Sequence, residues 1–265
     1  MDQTDGIFTI DGASFVPSLD ARAQWYDQAL HGGPVAALFA RQFEAEIDTS
    51  TSMIGRLTVD ILRPVPVAPL TVAVDVVRRG RRIQVFTARM RAGQTEVAAA
   101  SALAVRRAPV TVPDHPRREL PASPSGIPAA RLEPVDGRYF HTTGVEMRFL
   151  DGAFRDPGPA TVWMRLTQPI VTGEATSPLQ LVAAVGDFGN GVSRVLSDDY
   201  VFMNPDVSLH LHRHPIGEWV ALRSRTDIDD EGVGLAQSEL LDERGAIGHA
   251  LQVLYVDTVA GFGDR

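Results

Sequence analysis

The chain carries the same predicted order of elements twice, an apolar helix followed by four strands, and this repeat constrains the fold more than any other feature. The first helix is predicted from Gly33-Pro34 over about 13 residues, because proline suits a first helical position. The second is predicted from Ser177-Pro178, where serine caps the helix and proline opens it. The two copies lie roughly 145 residues apart, so we predict a duplicated α+β unit.

Runs of alternating apolar residues predict the strands of each copy. In the first half they are Leu57 to Ile61, Leu70 to Val76, Ile83 to Phe86 and Val97 to Val105; in the second they are Val207 to Leu211, Trp219 to Leu222, Val233 to Leu241 and Ile247 to Val256. Two further strand-like runs, Tyr139 to Leu150 and Ala160 to Leu166, precede the second helix.

A proline-rich segment, residues 108–134, separates the two copies and is interpreted as a linker. The predicted domains are therefore an N-terminal unit of residues 1–107 and a C-terminal unit of residues 135–265. An antiparallel sheet wrapped around one long apolar helix is the hotdog arrangement. Two such units in one chain make an α+β double hotdog, although the pattern of elements alone predicts only a duplicated α+β unit.

Composition excludes several classes of function. The net charge of −8 makes binding to nucleic acid or to an anionic membrane surface unfavourable. The absence of cysteine excludes disulfides, zinc-thiolate sites, iron–sulfur clusters and cysteine nucleophiles. The N-terminus lacks the basic and apolar regions of a signal peptide, and no apolar run is long enough to span a membrane. We expect a soluble, cytoplasmic protein.

Two polar residues stand in apolar surroundings. Asp187 lies among the apolar positions of the second predicted helix, and Gln252 lies between Leu251 and Val253 in the last predicted strand. Burying either group is costly unless it is hydrogen-bonded or has a function. The residues alone leave both interpretations open, a satisfied core polar group or a functional one.

Several short stretches resemble the thioesterase-like superfamily, double-hotdog relatives of bacterial acyl-CoA thioesterase II. In the second half they are Asp187-Phe188-Gly189-Asn190-Gly191, Asn204-Pro205-Asp206, Leu209-His210-Leu211-His212-Arg213, Gly217-Glu218-Trp219 and Gln252; in the first half they are His31-Gly32-Gly33-Pro34-Val35 and Leu62-Arg63-Pro64-Val65-Pro66. Their order and spacing carry the resemblance, which runs from about residue 15 to 257 and omits the linker.

The resemblance implies hydrolysis of an acyl-CoA thioester, in lipid metabolism, by a water held among Asp187, Asn204 and Gln252. Asn204 stands where the family has a threonine or serine, so the hydroxyl is replaced by an amide. Asp187 is the expected general base. No metal and no cofactor are expected, since the CoA thioester is the substrate. We also expect an acyl-CoA small-molecule partner and a homo-oligomer, because hotdog sheets present long edges.

The start of the first helix is the expected oxyanion site. Gly32 and Gly33 allow close approach of the backbone, and Gly33 or Val35 would donate an N–H because Pro34 has none. A plain turn into the helix remains the alternative. His31 beside it is interpreted as structural.

The first half lacks the corresponding polar set. Aligning Val97 with Ile247 places Ala102 opposite Gln252, and the first helix carries Arg41, Glu44 and Glu46 only toward its end. A single active site per chain is therefore expected.

Two other functions remain open: a catalytically weak acyl-binding protein, which the amide at Asn204 suggests, and a thioesterase that acts on carrier-protein-bound acyl chains. A hotdog hydratase is disfavoured because Phe202 and Val207 stand where its Asp and His would be.

Two groups of charged or metal-ligating residues have no role in the hydrolysis that the resemblance implies. His210, His212 and His214 share one strand face, but successive side chains on one face stand about 7 Å apart, which disfavours a metal site. Arginine clusters could hold CoA phosphates, although solvated turn charges are the favoured interpretation. They are Arg78, Arg79, Arg81 and Arg82 around Gly80, and later Arg106-Arg107 and Arg117-Arg118.

Overall fold

The computed structural model describes residues 6–24, 28–113, 120–132, 137–154 and 156–263. In that part of the chain the strands form one continuous antiparallel sheet, and the helices pack on it. The elements are β1 (Phe8–Asp11), β2 (Ser14–Pro17), α1 (Gly32–Glu44), β3 (Ser52–Ile61), β4 (Leu70–Arg79), β5 (Ile83–Ala92), β6 (Thr95–Arg106), β7 (Val145–Asp151), β8 (Ala160–Leu166), α2 (Pro178–Gly186), α3 (Gly189–Val192), β9 (Tyr200–Met203), β10 (Asp206–Leu211), β11 (Val220–Ile228), β12 (Val233–Asp242), β13 (Gly245–Thr258) and α4 (Val259–Gly263).

The sheet is symmetric about its central strand pair. Its order is β1-β2-β4-β5-β6-β3-β10-β13-β12-β11-β8-β7, with β9 paired to β13. From the β3–β10 pair outward, β6 corresponds to β13, β5 to β12 and β4 to β11, and a hairpin follows on each side. Each half has one long apolar helix packed within the curve of its sheet. The double-hotdog fold predicted from the sequence is confirmed.

The register confirms the alignment of the two halves. Thr58 pairs with Ser208 at the centre of the sheet, and these residues pair outward with Ser101 and Leu251 respectively. Ala102 in β6 is therefore the counterpart of Gln252 in β13. The polar group of the second half has an apolar residue at the equivalent place in the first.

Helices α1 and α2 form the core of the molecule and run antiparallel. A Cβ on Gly33, at the start of α1, would overlap the carbonyl oxygen of Ala184, near the end of α2. At the other end, the Ser177 hydroxyl that precedes α2 donates to Glu44, the last residue of α1, at 2.6 Å. Because the helices are antiparallel, each helix start meets the end of the other.

The structure differs from the predicted elements in several places, and the strand β9 and the short helix α4 are among the elements that were not predicted. The hairpin β1–β2 was not predicted, and it is the counterpart of β7–β8, so the repeat consists of a hairpin, a helix and four strands. The prediction that a strand runs from Tyr139 is wrong, because residues 140–144 form a helical turn and β7 begins at Val145. The first helix begins at Gly32, with His31 as its N-cap, so Pro34 is its third residue rather than its first.

The second helix starts as predicted, with the Ser177 side chain accepting from the Gln180 N–H at 3.1 Å and proline in the first turn. It is shorter than α1, because it ends at Gly186 and the short α3 follows. The interruption places Asp187 at the helix terminus.

Part of the predicted linker lies outside the described residues, namely 114–119 and 133–134. The described remainder has no helix or strand, but it contacts the C-terminal half. The Ala122 carbonyl accepts from the Trp163 indole N–H at 2.8 Å, and the Ala130 N–H donates to Met147 at 2.7 Å. The described remainder therefore packs on β7 and β8. None of the helices in the described ranges combines the length and the apolarity that spanning a bilayer requires.

We expect replacement of Asp242 by asparagine to cost about 2 kcal/mol of stability at neutral pH. Asp242 is fully buried and accepts from the Arg213 guanidinium at 2.6 Å and from the N–H groups of Ile216 and Arg244. Burial alone would raise the pKa of Asp242, but these donors hold it below its usual value. The stabilisation is therefore present above the unfolded-state pKa of about 4 and is lost as the pH falls through the lowered folded-state pKa. Urea unfolding at several pH values measures this difference, and it should shrink on acidification.

The matched control for this prediction is Asp75→Asn, at an exposed position of β4. It removes the same charge and should leave the free energy of unfolding almost unchanged. An equal loss in both variants would contradict a specific role for the buried pair.

Candidate active site

Asp187 lies at the centre of a buried cluster of polar side chains. The residue caps the C-terminal end of α2 and is 4% exposed. Its Oδ1 accepts from the Asn204 amide at 2.8 Å and from the Gln252 amide at 3.1 Å. Its Oδ2 lies 2.9 Å from Nδ1 of His31. The three residues that the resemblance implied are therefore in contact, and His31 joins them.

Gln252 is held in one orientation by both ends of its amide. Its Nε2 donates to the backbone carbonyl of Asp187 at 2.9 Å as well as to the carboxylate, and its Oε1 accepts from the Asn190 N–H in α3 at 3.1 Å. Gly189 is close to this amide, since a Cβ there would lie 2.7 Å from Oε1. Both N–H groups of Gln252 are thus directed at Asp187.

Asn204 lies in the connection between β9 and β10 and is half-buried. Its amide nitrogen donates to Asp187 and, at 3.2 Å, to the backbone carbonyl of Asp206. Among the described residues its amide oxygen has no hydrogen-bond donor. That oxygen is an acceptor beside the carboxylate.

The start of α1 contacts the same carboxylate. A Cβ on Gly32 would lie 2.7 Å from Asp187 Oδ2, so only glycine leaves room for this approach. The positive end of the α1 dipole stabilises negative charge at this place. Gly33 and Val35 are both buried in the first turn, and Gly33 packs against α2. Gly32 is therefore brought to the Asp187 carboxylate, and the Gly33 N–H lies beside His31, which contacts the same carboxylate.

His31 is the residue of this cluster that sequence reasoning did not include. Its ring is 5% exposed, stacks on Phe188 at 4.7 Å between centroids, and caps α1. Nδ1 lies 3.1 Å from the Gly33 N–H and 2.9 Å from Asp187 Oδ2, and it can serve only one of them at a time. With a proton on Nδ1, it donates to Asp187 and leaves the Gly33 N–H available.

A second carboxylate, Asp206, stands next to the cluster. Its Oδ1 accepts from the Val253 N–H at 2.7 Å. Burial raises the pKa of Asp206, the Val253 hydrogen bond opposes this, and the charges of Asp60 and Asp187 raise it further.

The histidines at the end of β10 and in the segment after it, His210, His212 and His214, do not join this site. His210 and His212 are exposed, and His214 lies near the β3 backbone with Nε2 3.0 Å from the Ile54 carbonyl. In the described ranges, no group of three or more histidine, aspartate or glutamate side chains is arranged to hold a metal ion.

Two family models match the chain, and together they cover both halves. The acyl-CoA thioesterase N-terminal domain matches residues 21–107, and the acyl-CoA thioesterase C-terminal domain matches residues 109–256. No curated protein matches the chain.

Several solved structures share the fold. A conserved protein of unknown function with a hotdog fold from Alicyclobacillus acidocaldarius is 18% identical, with a TM-score of 0.71, over 95% of this chain and 96% of that one. Acyl-CoA thioesterase II TesB2 from Mycobacterium marinum is 15% identical, with a TM-score of 0.67, over 96% and 95%. The tesB protein of Mycobacterium avium subspecies paratuberculosis is 17% identical, with a TM-score of 0.66, over 94% of both chains. The double-hotdog fold and the two matching family models together show that this chain belongs to the acyl-CoA thioesterase family.

Proposed function

We propose that the protein hydrolyses acyl-CoA thioesters and that Asp187 takes a proton from the attacking water. The observation that carries this proposal is the buried Asp187 carboxylate, which is held by Asn204, Gln252 and His31 against the start of α1. A thioester carbonyl is already electrophilic, so its hydrolysis needs a positioned base, a water and a donor for the developing oxyanion. The cluster contains a candidate for the base, which is Asp187, and a candidate for the oxyanion donor, which is the start of α1.

The Asp187 carboxylate has one acceptor position that its hydrogen-bond partners leave unused. A carboxylate offers about four acceptor positions, and three are used here, two on Oδ1 and one on Oδ2. The remaining position is on Oδ2, and we place the attacking water there. A water bound there and to the amide oxygen of Asn204 would be oriented by two acceptors, so its oxygen lone pair can be directed at a thioester carbon.

The reaction then follows in two steps. The water oxygen bonds to the thioester carbon while its proton passes to Asp187, and the carbonyl oxygen becomes an oxyanion. The oxyanion re-forms the carbonyl as the carbon–sulfur bond breaks, and the proton on Asp187 passes to the departing thiolate. The products are the carboxylic acid and CoA, and the carboxylate of Asp187 is restored.

The roles of the neighbours follow from their contacts. Both N–H groups of Gln252 are directed at Asp187, so we assign Gln252 to positioning the base rather than to holding the water. When Nδ1 of His31 donates to Asp187, the Gly33 N–H at the start of α1 can donate to the oxyanion. The same orientation of His31 therefore holds Asp187 and leaves the Gly33 N–H available as the oxyanion donor.

The experiment that tests this proposal measures thiol release from acyl-CoAs of graded chain length. The protein contributes no thiol background because it has no cysteine. Release of free CoA supports the proposal and gives the chain-length preference. Binding of acyl-CoA without release at any length would instead favour an acyl-binding protein, and release only from acyl carrier protein would favour a carrier-protein thioesterase.

We expect Gln252→Leu to lower kcat by about 10- to 100-fold with a smaller change in KM. Leucine keeps much of the side-chain volume but removes the amide that orients Asp187, so the base loses its position while the substrate contacts remain. Steady-state thiol release measures both constants. Gln237→Leu, on β12 and half-buried, is the control and should retain kcat. A rise in KM alone would contradict the positioning role.

A further inference from the structure

A large cavity lies at the opposite end of the α1/α2 pair from Asp187. Its volume is about 1040 Å³, and neither Asp187 nor its partners line it. Glu44 at the end of α1 and Ser177 at the start of α2 form part of its wall, and β3, β6 and the segment after β10 form much of the rest. The symmetry of the two halves therefore relates this cavity to the Asp187 cluster.

The residues that surround Asp187 are replaced at this second place. Ile54 is the counterpart of Asn204 and Ala102 is the counterpart of Gln252, as the register of the central strands requires. Counted from the N-cap residues of the two helices, Arg41 holds in α1 the position that Asp187 holds in α2. The base and the amides are lost, and Arg41, at the position of the base, is paired with Glu174 and does not line the cavity.

The mouth of the cavity is cationic. Three exposed arginines line it, which we call the rim arginines: Arg106, Arg107 and Arg244. Within the part of the chain that the structure describes, none of them pairs with a carboxylate, whereas the charge of Arg213 is offset by Asp242. Guanidinium groups that share one cavity and are not neutralised are suited to phosphate oxygens.

Among the described residues that line the cavity, Glu44 is the one acidic side chain, and its carboxylate is already engaged. It accepts from the Ser177 hydroxyl at 2.6 Å and from the Gln180 amide at 3.3 Å. Burial raises the pKa of Glu44, and these two hydrogen bonds oppose the rise. Its charge is thus partly masked and reduces the positive potential of the rim only in part.

We propose that this cavity binds a phosphate-bearing anion of nucleotide size and does not hydrolyse it. The volume lies at the upper end of the range for ligand pockets and is large enough for the nucleotide part of CoA. The cationic rim supplies the recognition of phosphate, and the loss of the base and the amides explains why no hydrolysis follows. This inference concerns binding only and does not depend on turnover at Asp187.

The test is isothermal titration calorimetry of the full chain with CoA, with adenosine 3′,5′-bisphosphate and with pyrophosphate. We expect the double variant Arg106→Gln/Arg244→Gln to weaken one class of CoA sites by about 10-fold or more, since two phosphate contacts are lost. We expect Glu44→Gln to strengthen the same class by about 3-fold, because it removes a negative charge from the wall. Opposite shifts from the two variants cannot arise from unfolding.

The control is Arg89→Gln/Arg91→Gln, which removes two exposed charges from the far end of β5 and should leave binding unchanged. Tighter binding of the nucleotide than of pyrophosphate assigns the site to a nucleotide, and equal binding assigns it to free phosphate; both support the site. Absence of binding by all three probes, or no response to the rim variant, would overturn the inference. Thiol release is read separately, so loss of the proposed hydrolysis would leave this result intact.

Discussion

Replacing Asp187 with asparagine is expected to lower kcat for thioester hydrolysis by about 100- to 10,000-fold, the usual contribution of a positioned general base. The asparagine keeps the size of the side chain but cannot take the proton of the water. It also presents an amide toward Asn204 and Gln252, which both donate to the native carboxylate. Thiol release under saturating acyl-CoA measures the loss.

Asp60→Asn is the matched control for Asp187→Asn. Asp60 is an exposed carboxylate of β3 that faces Asp206 across the central strand pair. Its replacement changes the net charge equally and leaves the Asp187 contacts in place, so kcat should stay within about twofold of the native value. If the two variants lost activity to the same extent, the effect would be one of local charge and Asp187 would not be the base.

Two adjacent glycines are expected to separate stability from activity. Gly33→Ala should cost about 3 kcal/mol of unfolding free energy, because its Cβ would overlap the Ala184 carbonyl and force α1 away from α2. Gly32→Ala should cost less stability, since its Cβ meets the end of the Asp187 side chain rather than backbone atoms. It should instead lower kcat by about 10- to 100-fold through displacement of the base.

Urea unfolding and thiol release on the same two preparations make this comparison. The expected pattern is a stability loss confined to Gly33→Ala and an activity loss at normal stability in Gly32→Ala. If Gly32→Ala retained full activity, the contact between the α1 start and the Asp187 carboxylate would have no part in catalysis.

The repeat could be predicted because its signals are local. Ser177 caps a helix and the following proline opens it, and the long strands alternate apolar and polar residues over many positions. The hairpin β1–β2 escaped prediction because each strand has only four residues and β1 buries only Phe8. Residues 140–144 are included in the predicted strand because they run directly into the residues of β7, whereas their backbone forms a helical turn.

The contacts of the site depend on packing between distant parts of the chain. The resemblance predicts that Asp187, Asn204 and Gln252 share one site, because they occupy positions that match the family's site residues. The sequence does not place His31 in the predicted site, because its contact with Asp187 requires the antiparallel arrangement of α1 and α2. No local pattern predicts that arrangement. The contact of Glu44 with Ser177 also depends on the packing of α1 against α2. The sequence alone therefore indicates only that Glu44 is one of several charged residues near a helix end.

The most direct test of the proposed chemistry is a single turnover of acyl-CoA in H₂¹⁸O with enzyme in excess, followed by mass spectrometry of the product acid and of the peptide that contains Asp187. Attack by a water that Asp187 activates predicts heavy oxygen in the acid from the first turnover and an unlabelled Asp187. An unlabelled acid with heavy oxygen in Asp187 would contradict the proposal, because it would mean that the carboxylate attacks the thioester itself and that water then cleaves the resulting anhydride.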